Sequence, residues 1–128
     1  MPDYLPRPDA ALLALRPAIA GQPAPLPMPT TVGDFQHQVL RPLLKLQHEP
    51  AAQLLEAFAE DYRLPDPAAN PAAAARQRAE LLARNTRLRA TLVGLVVGLL
   101  TAEELAFYRQ HRAELNRRLL DMLAVRLA

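Results

Sequence analysis

Leucine recurs at helical spacing through the second half of the chain. Leu81, Asn85, Leu88, Leu92, Leu95 and Leu99 follow one another at intervals of 4, 3, 4, 3 and 4 residues. That is the seam of a helix packed along its length, with one asparagine set among leucines. Leu105, Tyr108, Arg112, Leu115, Leu119, Met122 and Arg126 repeat the spacing less apolarly, and Leu120, Leu123 and Leu127 widen the stripe. A stripe of that width suits a bundle helix touching two neighbours.

Local signals bound these two segments. Asn70 is a good helix cap, and Pro71 fits the first helical position, where its missing N–H is not needed. No proline follows Pro71, so the pattern predicts one helix from 71 to about 100, roughly 45 Å long at about 1.5 Å per residue. Thr101-Ala102-Glu103-Glu104 reads as a capping box, which ends the first helix and opens a second, over about 102–127. Folded back at Thr101, the two form an antiparallel hairpin that sets Asn85 and Asn116 at one level. The expectation is that these amides pair, across this hairpin or across a dimer axis, and fix the register. Ala90, Gly94 and Gly98 lie four residues apart on another face, and glycine inside a helix costs about 0.5–1 kcal/mol relative to alanine. A close helix crossing is the expected reason, with a partner helix from the same chain or from another. The helix-pairing residues are thus Asn85, Leu88, Leu92, Gly94, Leu95, Gly98, Leu99, Leu115, Asn116 and Leu119.

Before Asn70, two shorter helices are expected. Thr31 caps the first, Asp34 favours its start, and Phe35, Val39, Leu40, Leu43, Leu44 and Leu46 carry it to about His48. Pro42 should kink or divide it. Pro50 opens the second (about 50–63), whose stripe is Leu54, Leu55, Phe58 and Tyr62, and Leu64-Pro65-Asp66-Pro67 closes it.

Ten of the thirteen prolines fall in residues 1–50. Pro23, Pro25, Pro27 and Pro29 alternate, which makes Gln22–Thr30 extended, while Asp9–Ala20 has room for one short helix limited by Pro17. Leu5, Leu12, Leu13, Leu15, Ile19, Leu26 and Met28 are too many apolar residues for a free tail. The arm should wrap over the helical body or over a neighbouring subunit.

Composition agrees with an all-α fold. Leu and Ala supply 25 and 24 of 128 residues, and both are strong helix formers. The expected architecture is a helical bundle (31–128) built on the long antiparallel hairpin, with two shorter helices and a Pro-rich N-terminal arm (1–30) containing one short helix. The chain has no Cys and no Ser, which excludes a disulfide scaffold, a thiolate zinc site and both common side-chain nucleophiles. His37, His48 and His111 form no metal pattern: Asp34-x-x-His37 stands alone, and Glu-x-x-His does not occur. No glycine-rich phosphate loop is present. The chain is therefore expected to be no enzyme, and no cofactor or metal is expected.

Charge is unevenly divided. Residues 1–70 hold five basic and eight acidic side chains, net −3, whereas 71–128 hold ten and five, net +5. Arg84, Arg87, Arg109, Arg112, Arg117 and Arg118 form the candidate partner surface. The first reading is a protein–protein interaction module, a homodimer with an unidentified protein partner. The alternative is a nucleic-acid-associated accessory or regulatory protein using the Arg-rich faces of the last two helices. The start Met1-Pro2-Asp3-Tyr4 has neither the basic nor the apolar region of a secretory signal, and no apolar run is long enough for a span, so a cytoplasmic, membrane-free protein is expected.

Overall fold

In the computed structural model, residues 3–19 and 27–128 are described, and all regular structure among them is helical. Asp9–Ala14 (α1) begins with its own acidic residue in the first turn and stops ahead of Pro17, which disfavours helical backbone in the residue before it. It is shorter than the expected Asp9–Ala20, and residues 22–26 of the expected extended stretch lie outside the described residues. Val32–Phe35 (α2) is capped by Thr31, whose hydroxyl accepts from Asp34 N at 3.1 Å.

Pro42 divides the next stretch as its chemistry requires. Residues Gln36–Leu40 widen into a π-helical segment, with Arg41 N–H donating to Gln36 O, and Arg41–Leu46 (α3) then carries Pro42 at its start. The wider turn accommodates a residue with no N–H to offer. Gln47 breaks the chain again, and His48–Asp61 (α4) follows with Ala51, Leu55 and Ala59 buried. Tyr62, expected in that stripe, is 51% exposed. The helix ends in a left-handed residue, Arg63 at φ 55°, with Arg63 N–H donating to Glu60 O and Leu64 N–H to Ala59 O. This is the paired-bond terminus usually built on glycine.

Asn70 and Pro71 open Pro71–Arg84 (α5), the asparagine Oδ1 accepting from Ala73 N at 3.2 Å. The single helix expected to run on to about residue 100 does not form. Asn85 takes an extended conformation (φ −79°, ψ 107°) and caps Thr86–Val97 (α6) by accepting from Leu88 N at 2.9 Å. Asparagine offers the backbone an alternative partner to the helix ladder, and at this position that alternative wins. The final helix is likewise broken, at His111 (φ −127°, ψ 28°), into Ala102–Gln110 (α7) and Arg112–Leu127 (α8).

One apolar core joins these elements. Leu88 and Leu92 of α6, Leu115, Leu119 and Leu123 of α8, and Phe35, Leu40, Leu43 and Leu44 of the α2–α3 stretch are all sealed from solvent. Helix α8 packs on α5, on α6 and on the π segment, while α4 packs on α5 and α6. Phe35 stacks on Phe107 with centroids 4.9 Å apart, and Phe107 in turn meets His111 at 4.6 Å. Among the described residues no helix is long and apolar enough to cross a membrane.

Candidate functional site

Helix α6 ends at Val97, and the chain turns through Gly98–Leu100 before Thr101 caps α7. Such a turn leaves carbonyls without donors on one side and N–H groups without acceptors on the other. Leu99 and Leu100 N–H close the end of α6 on Val96 O and Val97 O. Gln47 Nε2 donates to Leu95 O at 3.0 Å, and further partners come from the far end of the chain. Arg7 donates through Nη2 to Gly98 O and Leu100 O, both at 2.6 Å, and through Nε to Leu100 O at 3.1 Å. Asp9 accepts from Ala102 N at 3.1 Å. A cation therefore sits at the negative end of α6 and an anion at the positive end of α7, where the helix dipoles favour each.

Arg16 completes the latch. It forks onto Glu104, Nη1 to Oε2 at 2.6 Å and Nη2 to Oε1 at 2.5 Å, and the two side chains are 8% and 6% exposed. Glu104 is at the same time the return half of the capping box, accepting from Thr101 N at 2.9 Å while Thr101 Oγ1 accepts from Glu104 N. Burial alone pushes the Glu104 carboxyl up. The Arg16 hydrogen bonds, the Thr101 N–H and the guanidinium charge outweigh it and hold the group below its ordinary range. A second fork, Arg78 onto Glu56 at 2.7 and 2.9 Å, ties α5 to α4, and Arg78 Nη1 also donates to Pro65 O. The hydrogen bond from Arg78 lowers Glu56 against a smaller effect of burial.

The predicted helix-pairing residues divide in two. Leu88, Leu92, Leu115 and Leu119 are core, and Leu95 and Leu99 are half-buried against it. The asparagine pair does not form within the chain. Asn85 gives its oxygen to Leu88 N and its Nδ2 to Tyr62 Oη at 3.0 Å, and Asn116 Oδ1 accepts from Tyr108 Oη at 2.6 Å. Each amide finds a nearer partner, and the break at Asn85 removes the continuous helix on which the level-matching rested. The close crossing at the glycines does not form within the described residues either. Ala90, Gly94 and Gly98 are exposed, and nothing stands within 4 Å of a Cβ added at Gly94. At Gly98 the added Cβ would meet Gly94 O at 3.0 Å.

Arg84, Arg87, Arg109, Arg112 and Arg117 are exposed and lie on α5, α6, α7 and α8, while Arg118 is half-buried and engaged by Glu114 and Gln36. Among the described residues no three His, Asp or Glu side chains gather to hold a metal. Sequence reasoning passed over Arg7 and Arg16 and took Asp9 only as the start of a short helix. The orphan groups around Thr101 were the available signal, but nothing local says which distant residues meet them.

Set against protein-family models, curated proteins and solved structures, the chain gives no match.

Proposed function

We propose that the protein is a non-enzymatic helical interaction module acting as a homodimer. Its frame is an antiparallel hairpin of the α5–α6 and α7–α8 limbs, overlaid by the proline-rich N-terminal arm. The observation that supports this reading is the uncovered small-residue face of α6. Alanine in place of Gly94 would meet nothing within 4 Å, so the described part of the chain itself has no use for a glycine there. Mid-helix glycine is unfavourable by about 0.5–1 kcal/mol, and close approach of another backbone is the usual compensation.

Arg7 ties the arm to the Gly98 carbonyl, and two residues away Leu5 is 89% exposed, with Tyr4 at 76%. A second copy of the chain fits such a face, because a two-fold axis through it brings small residues onto small residues and each protomer's Tyr4 and Leu5 onto the other's flank. The nucleic-acid alternative draws less support, since its arginines are spread over four helices and Arg118 already has partners.

Sedimentation tests the reading. The wild-type protein is expected to run at twice 14.1 kDa at micromolar concentration. Gly94→Arg is expected to give a monomer of unchanged helix content. Gly94→Ala should weaken the dimer while raising the stability of the isolated monomer by about 0.5–1 kcal/mol, since its methyl group meets nothing within the chain. A wild-type protein that stays monomeric as concentration rises, or a dimer indifferent to Gly94→Arg, overturns the proposal.

A further inference from the structure

Three basic side chains follow one another along the stretch that holds Pro42. His37 lies in the π segment, Arg41 and Lys45 in α3, each four residues from the next. Side chains at that spacing on a helix are neighbours. Arg41 Nη1 stands 3.5 Å from His37 Nδ1. A guanidinium has no lone pair to offer, so Nδ1 is the acceptor in that contact and the imidazole keeps Nε2–H as a donor. All three residues line a recess of about 200 Å³, whose other described walls are Pro17, Ala18, Ile19 and Pro42.

The charge of this recess is one-sided. No carboxylate is among the described residues that line it. Residues 20–26, which follow Ile19 in the chain, hold no charged side chain, so they bring none to it. Arg41 and Lys45 are exposed, and their charged ends are open to a solute. Among the described residues Lys45 has no hydrogen-bond or ion-pair partner, and Arg41 has only the long contact with His37. Arg16, Arg78 and Arg118, by contrast, are each matched by a carboxylate. Like charges four residues apart on a helix repel, and an anion set between them relieves that repulsion.

We propose that this recess binds a phosphate group, free or carried by a small phosphate monoester, between Arg41 and Lys45. The ligand class follows from the donors. The Arg41 guanidinium forks onto two oxygens, Lys45 adds a compact point charge, and His37 Nε2–H is a further donor. A carboxylate has two oxygens only, and the guanidinium alone occupies both. A tetrahedral phosphate keeps further oxygens for Lys45 and His37. The recess is smaller than sites for drug-sized molecules, so it suits one such group with a short apolar substituent against Ala18, Ile19 and Pro42. None of these residues belongs to α6, and the site does not depend on the dimer.

The test is a titration of the full chain with inorganic phosphate, followed by amide NMR shifts, with chloride holding the ionic strength constant. Saturable shifts are expected over residues 36–46 and at Ile19, with acetate binding more weakly. Arg41→Gln and Lys45→Gln, both at exposed positions, should each weaken phosphate by about threefold to tenfold. Arg76→Gln, on the exposed side of α5, should leave it unchanged. Phosphatidylcholine vesicles containing phosphatidic acid tell the two sources of the group apart. Cosedimentation that phosphate competes away supports the site with a lipid headgroup in it, and phosphate binding without cosedimentation supports it with a soluble ester. The wild-type comparison of phosphate with acetate decides the matter even if a variant fails to fold. No saturable shift in the wild type, shifts spread evenly over the arginines of every helix, acetate bound as tightly as phosphate, or an unchanged affinity in folded Arg41→Gln or Lys45→Gln overturns the assignment.

Discussion

In α8, Leu115, Leu119 and Leu123 are each no more than 2% exposed, whereas α1 contains no buried residue at all. The contrast runs deeper than degree of burial. Helix α8 turns its leucines inward and its arginines outward. The N-terminal arm does the reverse, sinking the Arg16 side chain to 8% exposure and leaving Leu13 and Leu15 at 50% and 56%. One element is held by removal of apolar surface from water, which is non-directional and adds up over many contacts. The other is held by a few charge-assisted hydrogen bonds onto the turn between α6 and α7, which are directional and depend on protonation. The comparison teaches that one small chain can carry a cooperative body and an appendage whose release follows different variables.

The largest effect should come from the body. Leu119→Ala opens a void in the sealed core and is expected to lower the unfolding free energy by about 2–5 kcal/mol in urea or guanidinium titrations, with arm and body lost together. A loss well below that range would mean that the core around α8 is looser than its burial implies. Next comes Arg16→Ala. Removing one partner of a buried pair is severe when the other charge has nowhere to go. Here the arm can lift away and return Glu104 to water, so the loss is capped at what docking contributes, about 1–3 kcal/mol. Hydrogen exchange should show lost amide protection in Asp9–Ala14 with α8 still protected. If α8 lost protection equally, the arm would have to be counted as part of the body.

Acid should produce the smallest and most selective change. Glu104 is held below its ordinary value in the folded state, so its contribution is complete above the unfolded-state value, about 4.3. It fades as the pH drops from there through the lowered folded value. The arm is expected to undock over that interval while the α8 core persists. Limited proteolysis between Leu5 and Leu15 at graded pH would follow it, and an arm whose protection did not weaken at all as the pH fell from the unfolded-state value of about 4.3 would contradict the assignment of Glu104 as its anchor.

Much of the local architecture was legible in the sequence because it depends on neighbours. Thr31, Asn70 with Pro71, and the Thr101–Glu104 box start helices where expected, since each satisfies N–H groups within three residues of itself. Pro42 disturbs the helix where its missing N–H requires it. The core leucines Leu88, Leu92, Leu115 and Leu119 follow from periodicity. The breaks at Asn85 and His111 were not legible, because the heptad-like spacing continues across both and periodicity ignores one residue of altered backbone. In the candidate site, Gly94 and Gly98 were found by type and spacing, but whether their crossing lies within one chain or between two was left open by the pattern, and no crossing forms on them among the described residues.

By itself, then, the sequence determined helical content, most helix starts and which leucines face inward, all of which rest on contacts a few residues apart. Only the tertiary structure decided which partner each polar group takes. Arg7, Asp9 and Arg16 reach groups 83–93 positions away in the chain. Asn85 and Asn116 turn to Tyr62 and Tyr108 instead of to each other. An orphan carbonyl or a buried carboxylate can be satisfied by any donor that the fold brings near, so its partner depends on three-dimensional placement that no local pattern encodes.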